Sequence, residues 1–149
     1  MSGAAPLGAE VQIAAATRLN CIIKQAWGMT ETSPAGGITP DYMISSVAEI
    51  AGKSGFLVPG TEGKIVHPAT GEDLPPTEEG ELLVRGPQIM KGYYQNKEAT
   101  RAAIRPDGWL HTGDIARFDD GWLCITDRCK ELFKVGADLL IPGYGYVSC

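Results

Sequence analysis

Hydrophobic residues follow helical spacing near the start of the chain and the shorter repeat of strands over the rest. Val11, Ala15 and Leu19 recur at every fourth position of an alanine-rich segment, which predicts a helix over residues 9–19 with these side chains on one face. The largely apolar run at residues 21–27 predicts a short, mostly buried strand. A strand that follows a helix in this way favours a parallel α/β arrangement.

Beyond residue 57 the chain consists of short apolar segments that Gly and Pro interrupt. Residues 63–67 and 81–85 are predicted strands, and Asn96 can cap a helix that continues to Ile104. Short strands at this spacing predict a small, distorted β-barrel. The predicted fold class is therefore α/β plus β.

Three segments follow from this pattern. Residues 1–56 are interpreted as the end of an α/β unit, with one helical turn near residues 47–50. Residues 57–135 form the barrel-like part, and residues 136–149 form a tail.

One β-hairpin is predicted in detail. Residues 115–118 and 122–126 are rich in β-branched and aromatic side chains, and the dipeptide Asp120-Gly121 between them suits a type I′ turn. Asp114 and Arg128 lie at the open ends of this hairpin and can converge. Together they form either an ordinary cross-strand ion pair, worth about 0.2–1 kcal/mol, or a clamp on a vicinal diol.

Composition limits the classes of partner. The chain has 149 residues, 44% of them hydrophobic, which is enough for one globular domain. A net charge of −5 without a basic run argues against nucleic acid and anionic membrane surfaces as partners. No apolar stretch reaches the roughly 20 residues that span a bilayer, and no signal peptide is evident, so we expect a cytoplasmic protein. The cysteines form no CxxC pair, which argues against a zinc site.

A second candidate for ligand binding is Trp27-Gly28-Met29-Thr30-Glu31, which follows the predicted strand. Ligands in open α/β sheets bind beyond the carboxyl ends of strands. The same residues are equally compatible with a loop whose threonine and glutamate cap the next helix.

Together with this loop, the segments at residues 108–114 (GWLHTGD) and 127–134 (DRCKELFK) resemble the adenylate-forming superfamily, the AMP-dependent synthetases and ligases. The wording is most similar to acyl- and aryl-CoA ligases such as 4-coumarate-CoA ligase. The resemblance covers about residues 2–134. It implies that the chain is the C-terminal part of the large domain of such an enzyme, and that residues 90–96 and 80–87 are scaffold.

The resemblance also implies residue roles. Asp114 and Arg128 are expected to hold the AMP ribose, Trp27 to stack on adenine, Thr30 to donate to the adenylate phosphate, and Glu31 to bind Mg²⁺. The catalytic residues are then Thr30 and Glu31. Further nucleotide-binding residues are Gly3, Ala4, Ala5, Gly28 and Met29, and Lys130 falls at the hinge of a C-terminal lid.

The implied reaction has two steps. A carboxylic acid and ATP give an acyl-adenylate, and a thiol, expected to be CoA, then displaces AMP. The sequence contains neither a Ser/Thr/Gly-rich phosphate loop nor the lid, so we expect N-terminal and C-terminal portions of the enzyme to be missing and the chain alone to be inactive. The alternative is a non-catalytic module that binds AMP or a full-length relative.

The tail matches no family wording and carries no peroxisomal signal. It is interpreted as translated outside the original reading frame.

Overall fold

The structure is a computed structural model, and it describes residues 1–3, 7–128, 133–135, 138–141 and 144–147. Its helices are α1 (Ala9–Leu19), α2 (Val47–Ile50) and α3 (Lys97–Ala103). Single 3-10 turns lie at Thr30–Thr32 and Asp41–Met43. The strands are β1 (Ala26–Gly28), β2 (Ala35–Ile38), β3 (Phe56–Leu57), β4 (Glu62–Val66), β5 (Asp73–Leu74), β6 (Gly80–Arg85), β7 (Leu110–Asp119), β8 (Trp122–Arg128), β9 (Phe133–Val135), β10 (Asp138–Ile141) and β11 (Tyr144–Val147).

These strands form antiparallel sheets. The largest has five strands in the order β5-β4-β6-β7-β8, and a smaller one has the order β1-β2-β3. A third sheet, β11-β10-β9, includes the described parts of the predicted tail. The expected combination of an α/β part and a β part is confirmed, and so are the single turn at Val47–Ile50 and the helix that Asn96 caps.

Helix α1 has the predicted bounds, but its buried face is not the apolar one. Gln12 and Ala16 are buried, whereas Val11 and Leu19 are 59% and 66% exposed. The Gln12 amide donates to the Ile23 carbonyl at 2.8 Å and accepts from Gln25 Nε2 at 2.7 Å. A polar side chain can be buried when its hydrogen bonds are satisfied in this way, which the apolar spacing could not reveal.

The first strand is shorter and later than predicted. Cys21 and Ile22 are exposed, and pairing begins only at β1, which is antiparallel to β2. The expected parallel neighbour is present as one bridge, between Ser2 and Gln25. An apolar run does not become a strand without a hydrogen-bonding partner, and among the described residues only its last part has one.

The hydrophobic cluster that includes Trp27 lies on one face of the five-stranded sheet. Side chains of β7 alternate between buried and partly exposed along the strand. The buried cluster contains Trp27 from β1 together with residues of four strands of the larger sheet. Those residues are Ile65, Leu82, Val84, Leu110, Ala116 and Leu123. Each large aliphatic side chain buried here contributes about 1.5–3 kcal/mol to folding.

The β7–β8 hairpin matches its prediction. The turn residues Asp120 and Gly121 have φ of 48° and 82°, and a type I′ turn needs positive values at both. Asp114 and Arg128 lie directly opposite each other.

A register shift lies between the turn and that pair. Ala116 pairs with Ile125, but Ile115 pairs with Asp127, so β8 contains one extra residue. The hydroxyl of Thr126 donates to the Ile115 carbonyl at 3.3 Å and thereby holds the bulge.

The five-stranded sheet and the β1-β2-β3 sheet are joined at Gly55. Ser54 N–H donates to the Leu123 carbonyl, and Leu123 N–H donates to the Gly55 carbonyl, both at 2.7 Å. Gly55 has φ of 93°, and a Cβ there would lie 2.1 Å from the carbonyl carbon of Ile38. The junction therefore requires glycine both for its backbone conformation and for space.

Gly55→Ala tests this junction, with Gly71→Ala as its matched control. Both glycines have positive φ, but nothing lies within 4 Å of a Cβ at Gly71. We expect Gly71→Ala to lower the free energy of unfolding by about 1–2 kcal/mol through backbone strain. Gly55→Ala should lower it by a further ~1–3 kcal/mol because of the steric clash. Urea denaturation measures both, and equal losses would contradict the proposed close packing.

Candidate functional site

Asp114 and Arg128 form an asymmetric pair at the end of the hairpin. The Asp114 side chain is 12% exposed and the Arg128 side chain 52%, and Arg128 Nε lies 3.5 Å from Asp114 Oδ1. The alternation of β7 turns Asp114 inward, beside the hydrophobic cluster. A carboxylate this buried requires partners, because an unpaired buried charge is costly.

Trp27 supplies the second partner. Its indole Nε1–H donates to Asp114 Oδ2 at 2.8 Å across 87 positions of sequence. One carboxylate oxygen is thus oriented by Trp27 and the other faces Arg128. The backbone N–H of Asp114 donates to Thr112 Oγ1 at 3.1 Å, which further fixes the strand at this point.

The ring of Trp27 is packed into the core. It is 9% exposed, and a Cβ at Gly36 would lie 2.1 Å from Cζ3 of the ring. The small residue therefore makes room for the indole. Stacking of a base on Trp27 requires a shift of the ring or of its neighbours.

The residues from Gly28 to Thr32 form a tight turn in which two residues are exposed to solvent. Gly28 and Thr30 are exposed, and Met29 is half-buried. Thr32 is fully buried, and its hydroxyl accepts from Met29 N–H at 3.0 Å and lies 2.8 Å from the Pro34 carbonyl oxygen. Thr32 was not among the predicted site residues, although a hydroxyl three residues after the residue whose N–H it accepts, Met29, is a signal for a capped turn.

Glu31 is anchored by a segment that was interpreted as scaffold. The phenol of Tyr93 donates to Glu31 Oε1 at 2.6 Å, and Met90 N–H donates to the Glu31 carbonyl at 2.8 Å. The hydrogen bond to the carboxylate raises the pKa of Tyr93. Residues 90–93 therefore contact the candidate site directly.

Gly3 lies beside the same strand. Ser2 N–H donates to the Lys24 carbonyl at 2.8 Å, and Ala26 N–H donates to the Ser2 carbonyl at 3.0 Å. This places Gly3, which is exposed, next to Ala26 and one residue from Trp27. Ala4, Ala5 and Lys130 lie outside the described residues.

The described residues contain no group of three His, Cys, Asp or Glu side chains that could hold a metal ion. The Glu31 carboxylate would offer a Mg²⁺ ion a hard oxygen ligand of the kind that this cation prefers. In the part of the chain that is described, no helix has the length and apolar character needed to cross a membrane.

Comparison with known proteins identifies the family. Residues 1–94 match the model of the AMP-binding enzymes. The chain belongs to this family. The match includes Trp27, Thr30, Glu31 and Tyr93, and it ends before Asp114 and Arg128.

Curated relatives are similar to this chain over a longer stretch that includes the β7–β8 hairpin. The chain is 44% identical to 4-coumarate--CoA ligase-like 4 of Oryza sativa subsp. japonica, over 136 residues that make up 90% of this chain and 24% of the relative. It is 46% identical to luciferin 4-monooxygenase of Photuris pensylvanica, over 89% of this chain and 24% of the relative. The chain thus spans about a quarter of the length of the curated relatives it matches.

Solved structures share the fold. ATP-bound MatB from Rhodopseudomonas palustris superposes with a TM-score of 0.77 at 32% identity, covering 89% of this chain and 25% of MatB. The anthranilate CoA ligase AuaEII in complex with anthranoyl-AMP gives 0.76 at 29% identity, over 91% of this chain and 25% of that ligase. The fold of this chain is therefore that of part of an adenylate-forming enzyme.

Trp27→Phe should destabilise the chain through Asp114. The substitution keeps an aromatic ring but leaves the buried Oδ2 atom without its donor, so we expect the free energy of unfolding to fall by at least about 1–3 kcal/mol. Trp109→Phe is the control, because the Trp109 ring contacts Lys64 and Arg85 by cation–π interactions. That loss should stay near 0.5–1 kcal/mol, an estimate for exposed pairs. Similar losses in urea denaturation would show that the indole donor contributes nothing.

Proposed function

We propose that this chain forms the ribose- and phosphate-binding part of the adenylate site in an AMP-forming carboxylic acid–CoA ligase. The observation that supports it most is the Asp114 carboxylate, which Trp27 orients from one side while Arg128 faces it from the other. Such an arrangement suits a vicinal diol, because a carboxylate accepts from two adjacent hydroxyls while a guanidinium donates.

The ribose clamp works through charge-assisted hydrogen bonds. Oδ1 of Asp114 accepts from the 2′- and 3′-hydroxyls, and the half-exposed Arg128 donates to the same sugar. Each such bond contributes about 1.5–3 kcal/mol. The adenine side of this site is assigned to Trp27 and Gly3, together with the expected binding residues Ala4 and Ala5, and the indole offers a stacking surface once its ring or its neighbours shift.

The phosphates are held by the turn after β1. The exposed hydroxyl of Thr30 donates to the adenylate phosphate, and the neighbouring backbone of Gly28 and Met29 lines the same face. Glu31 binds the Mg²⁺ that accompanies ATP. The ion supplies neutralisation of charge on the phosphates when bound.

In the whole enzyme, the substrate carboxylate attacks the α-phosphate of ATP and pyrophosphate leaves. The sulfur of CoA, having lost its proton to solvent, then attacks the acyl carbon, the bond from this carbon to the phosphate oxygen breaks, and AMP leaves with the electrons of that bond. Adenylation is needed because oxide is a poor leaving group, whereas AMP is a good one. Lys130 is proposed as the hinge of a lid that moves between the two steps.

Two alternative functions are a different reaction after adenylation and nucleotide binding without any reaction. The similarity to a luciferin monooxygenase is as high as that to the CoA ligases, but the nucleotide site proposed here does not depend on the acceptor. The second alternative is a module that binds nucleotide without turnover. We expect this behaviour from the 149-residue chain by itself, because its sequence contains no Ser/Thr/Gly-rich phosphate loop.

Asp114→Ala tests the ribose clamp. We expect binding of AMP to weaken at least about tenfold, since two charge-assisted hydrogen bonds are lost. The wild-type chain should prefer AMP to 2′,3′-dideoxy-AMP, and Asp114→Ala should abolish this preference, as measured by calorimetry.

Asp119→Ala is the matched control for this test. Asp119 lies on the same strand at the turn end, is paired with Lys53 at 3.6 Å, and is 54% exposed. Its substitution should leave both affinities unchanged. A wild-type chain that binds both nucleotides equally well would contradict the clamp.

Catalysis by the isolated chain is tested by exchange of labelled pyrophosphate into ATP. The phosphate loop and the lid, which this sequence does not contain, would position the substrates and stabilise charge. Each of these effects can lower the activation barrier by several kcal/mol. We therefore expect no exchange above background with any aromatic or aliphatic acid. Exchange that depends on an added acid and disappears in Glu31→Ala would show that the chain is a catalyst on its own.

A further inference from the structure

Tyr93 approaches the candidate metal ligand from outside the family's nucleotide loops. Its phenol donates to Glu31 Oε1 at 2.6 Å, which is the short distance typical of a bond to a charged oxygen. The two residues are 62 positions apart in the sequence. Within the described ranges no hydrogen bond reaches the other carboxylate oxygen of Glu31, which leaves that oxygen for a further ligand.

The position of Tyr93 is itself fixed by α3. Tyr93 N–H donates to Thr100 Oγ1 at 2.9 Å, and Asn96 N–H donates to the Tyr93 carbonyl at 3.2 Å. A Cβ at Gly92 would lie 2.6 Å from Cγ2 of Thr100, so the segment sits directly against the helix. The main chain of Tyr93 is thus held by a short helix that Asn96 caps.

Glu31 is anchored to the same segment twice. Besides the phenol, Met90 N–H donates to the Glu31 carbonyl at 2.8 Å. Both the main chain and the side chain of Glu31 are therefore hydrogen-bonded to residues 90–93. The carboxylate of an unrestrained glutamate would have to lose rotational freedom on binding a metal ion, and this arrangement removes that freedom beforehand.

Tyr93 contacts the Glu31 carboxylate through its hydroxyl group. The Tyr93 side chain contributes modestly to packing, since the residue is 41% exposed. Its neighbour Tyr94 is 90% exposed, and its hydroxyl contacts only Gln95 among the described residues. A tyrosine that served packing alone would not need its hydroxyl directed at a carboxylate.

We propose that Tyr93 is a positioning residue that holds the Glu31 carboxylate with one oxygen free for the Mg²⁺ of bound ATP. This inference rests on the proposed nucleotide site. It assigns a role to the segment at residues 90–93, which its sequence pattern had indicated to be scaffold.

The test separates metal binding from nucleotide binding in the 149-residue chain. Affinity for ATP is measured with Mn²⁺, whose bound fraction is read by electron paramagnetic resonance, and affinity for AMP is measured in EDTA. Tyr93→Phe should weaken binding of ATP with Mn²⁺ about tenfold, since the loss of one charge-assisted hydrogen bond is of this order. It should leave binding of AMP in EDTA unchanged, and Tyr94→Phe should change neither.

A double-mutant cycle with Glu31→Ala completes the test. If Tyr93 acts only through Glu31, then Tyr93→Phe has no further effect on Mn²⁺-dependent binding once Glu31 is replaced. Equal weakening of AMP binding in EDTA would overturn the proposal, because it would indicate a structural role alone. Unchanged binding of ATP with Mn²⁺ in Tyr93→Phe would also overturn it. A wild-type chain that binds neither nucleotide would instead refute the proposed function, and the role of Tyr93 with it.

Discussion

The hydrogen bond between the indole of Trp27 and the carboxylate of Asp114 connects the β1-β2-β3 sheet to the five-stranded sheet, and most of the candidate site depends on it. A buried carboxylate is tolerated only with partners, and here the indole and the guanidinium of Arg128 provide them. Trp27 also belongs to the hydrophobic cluster that holds the sheets together. Folding and the proposed ligand recognition therefore share one residue, and the orientation of the carboxylate is set by the fold itself.

The five residues from Trp27 to Glu31 are fixed at both ends. Trp27 is bonded to β7, and Glu31 is bonded through its side chain and its carbonyl to residues 90–93. Thr30 lies between these anchors and is exposed. The proposed sugar and phosphate contacts thus sit on a short stretch of backbone whose length is set by the fold. Such a fixed spacing favours a ligand whose own sugar and phosphate are a fixed distance apart.

Local signals in the sequence were sufficient for the elements that local chemistry determines. The Asp120-Gly121 turn, the Asn96 cap and the bounds of α1 were predicted because each depends on neighbouring residues. The buried face of α1 was not, since it depends on amide hydrogen bonds between Gln12 and Gln25 that spacing does not encode. The contact of Tyr93 with Glu31 was missed for the same reason, because only tertiary structure brings them together.

The extra residue in β8 determines which residue lies opposite Asp114 in the proposed ribose clamp. Counting back from the turn pair Asp119–Trp122 without the bulge, Asp114 would face Asp127, and two carboxylates would meet. Thr126, the extra residue, shifts the count by one and brings a guanidinium there instead, and its hydroxyl bonds to the Ile115 carbonyl. Because alternate residues of a strand point to opposite sides, the shift also inverts the orientation of everything after it. If the same residues paired regularly, without the bulge, attraction would become repulsion at this point, although every residue of the proposed clamp would still be present.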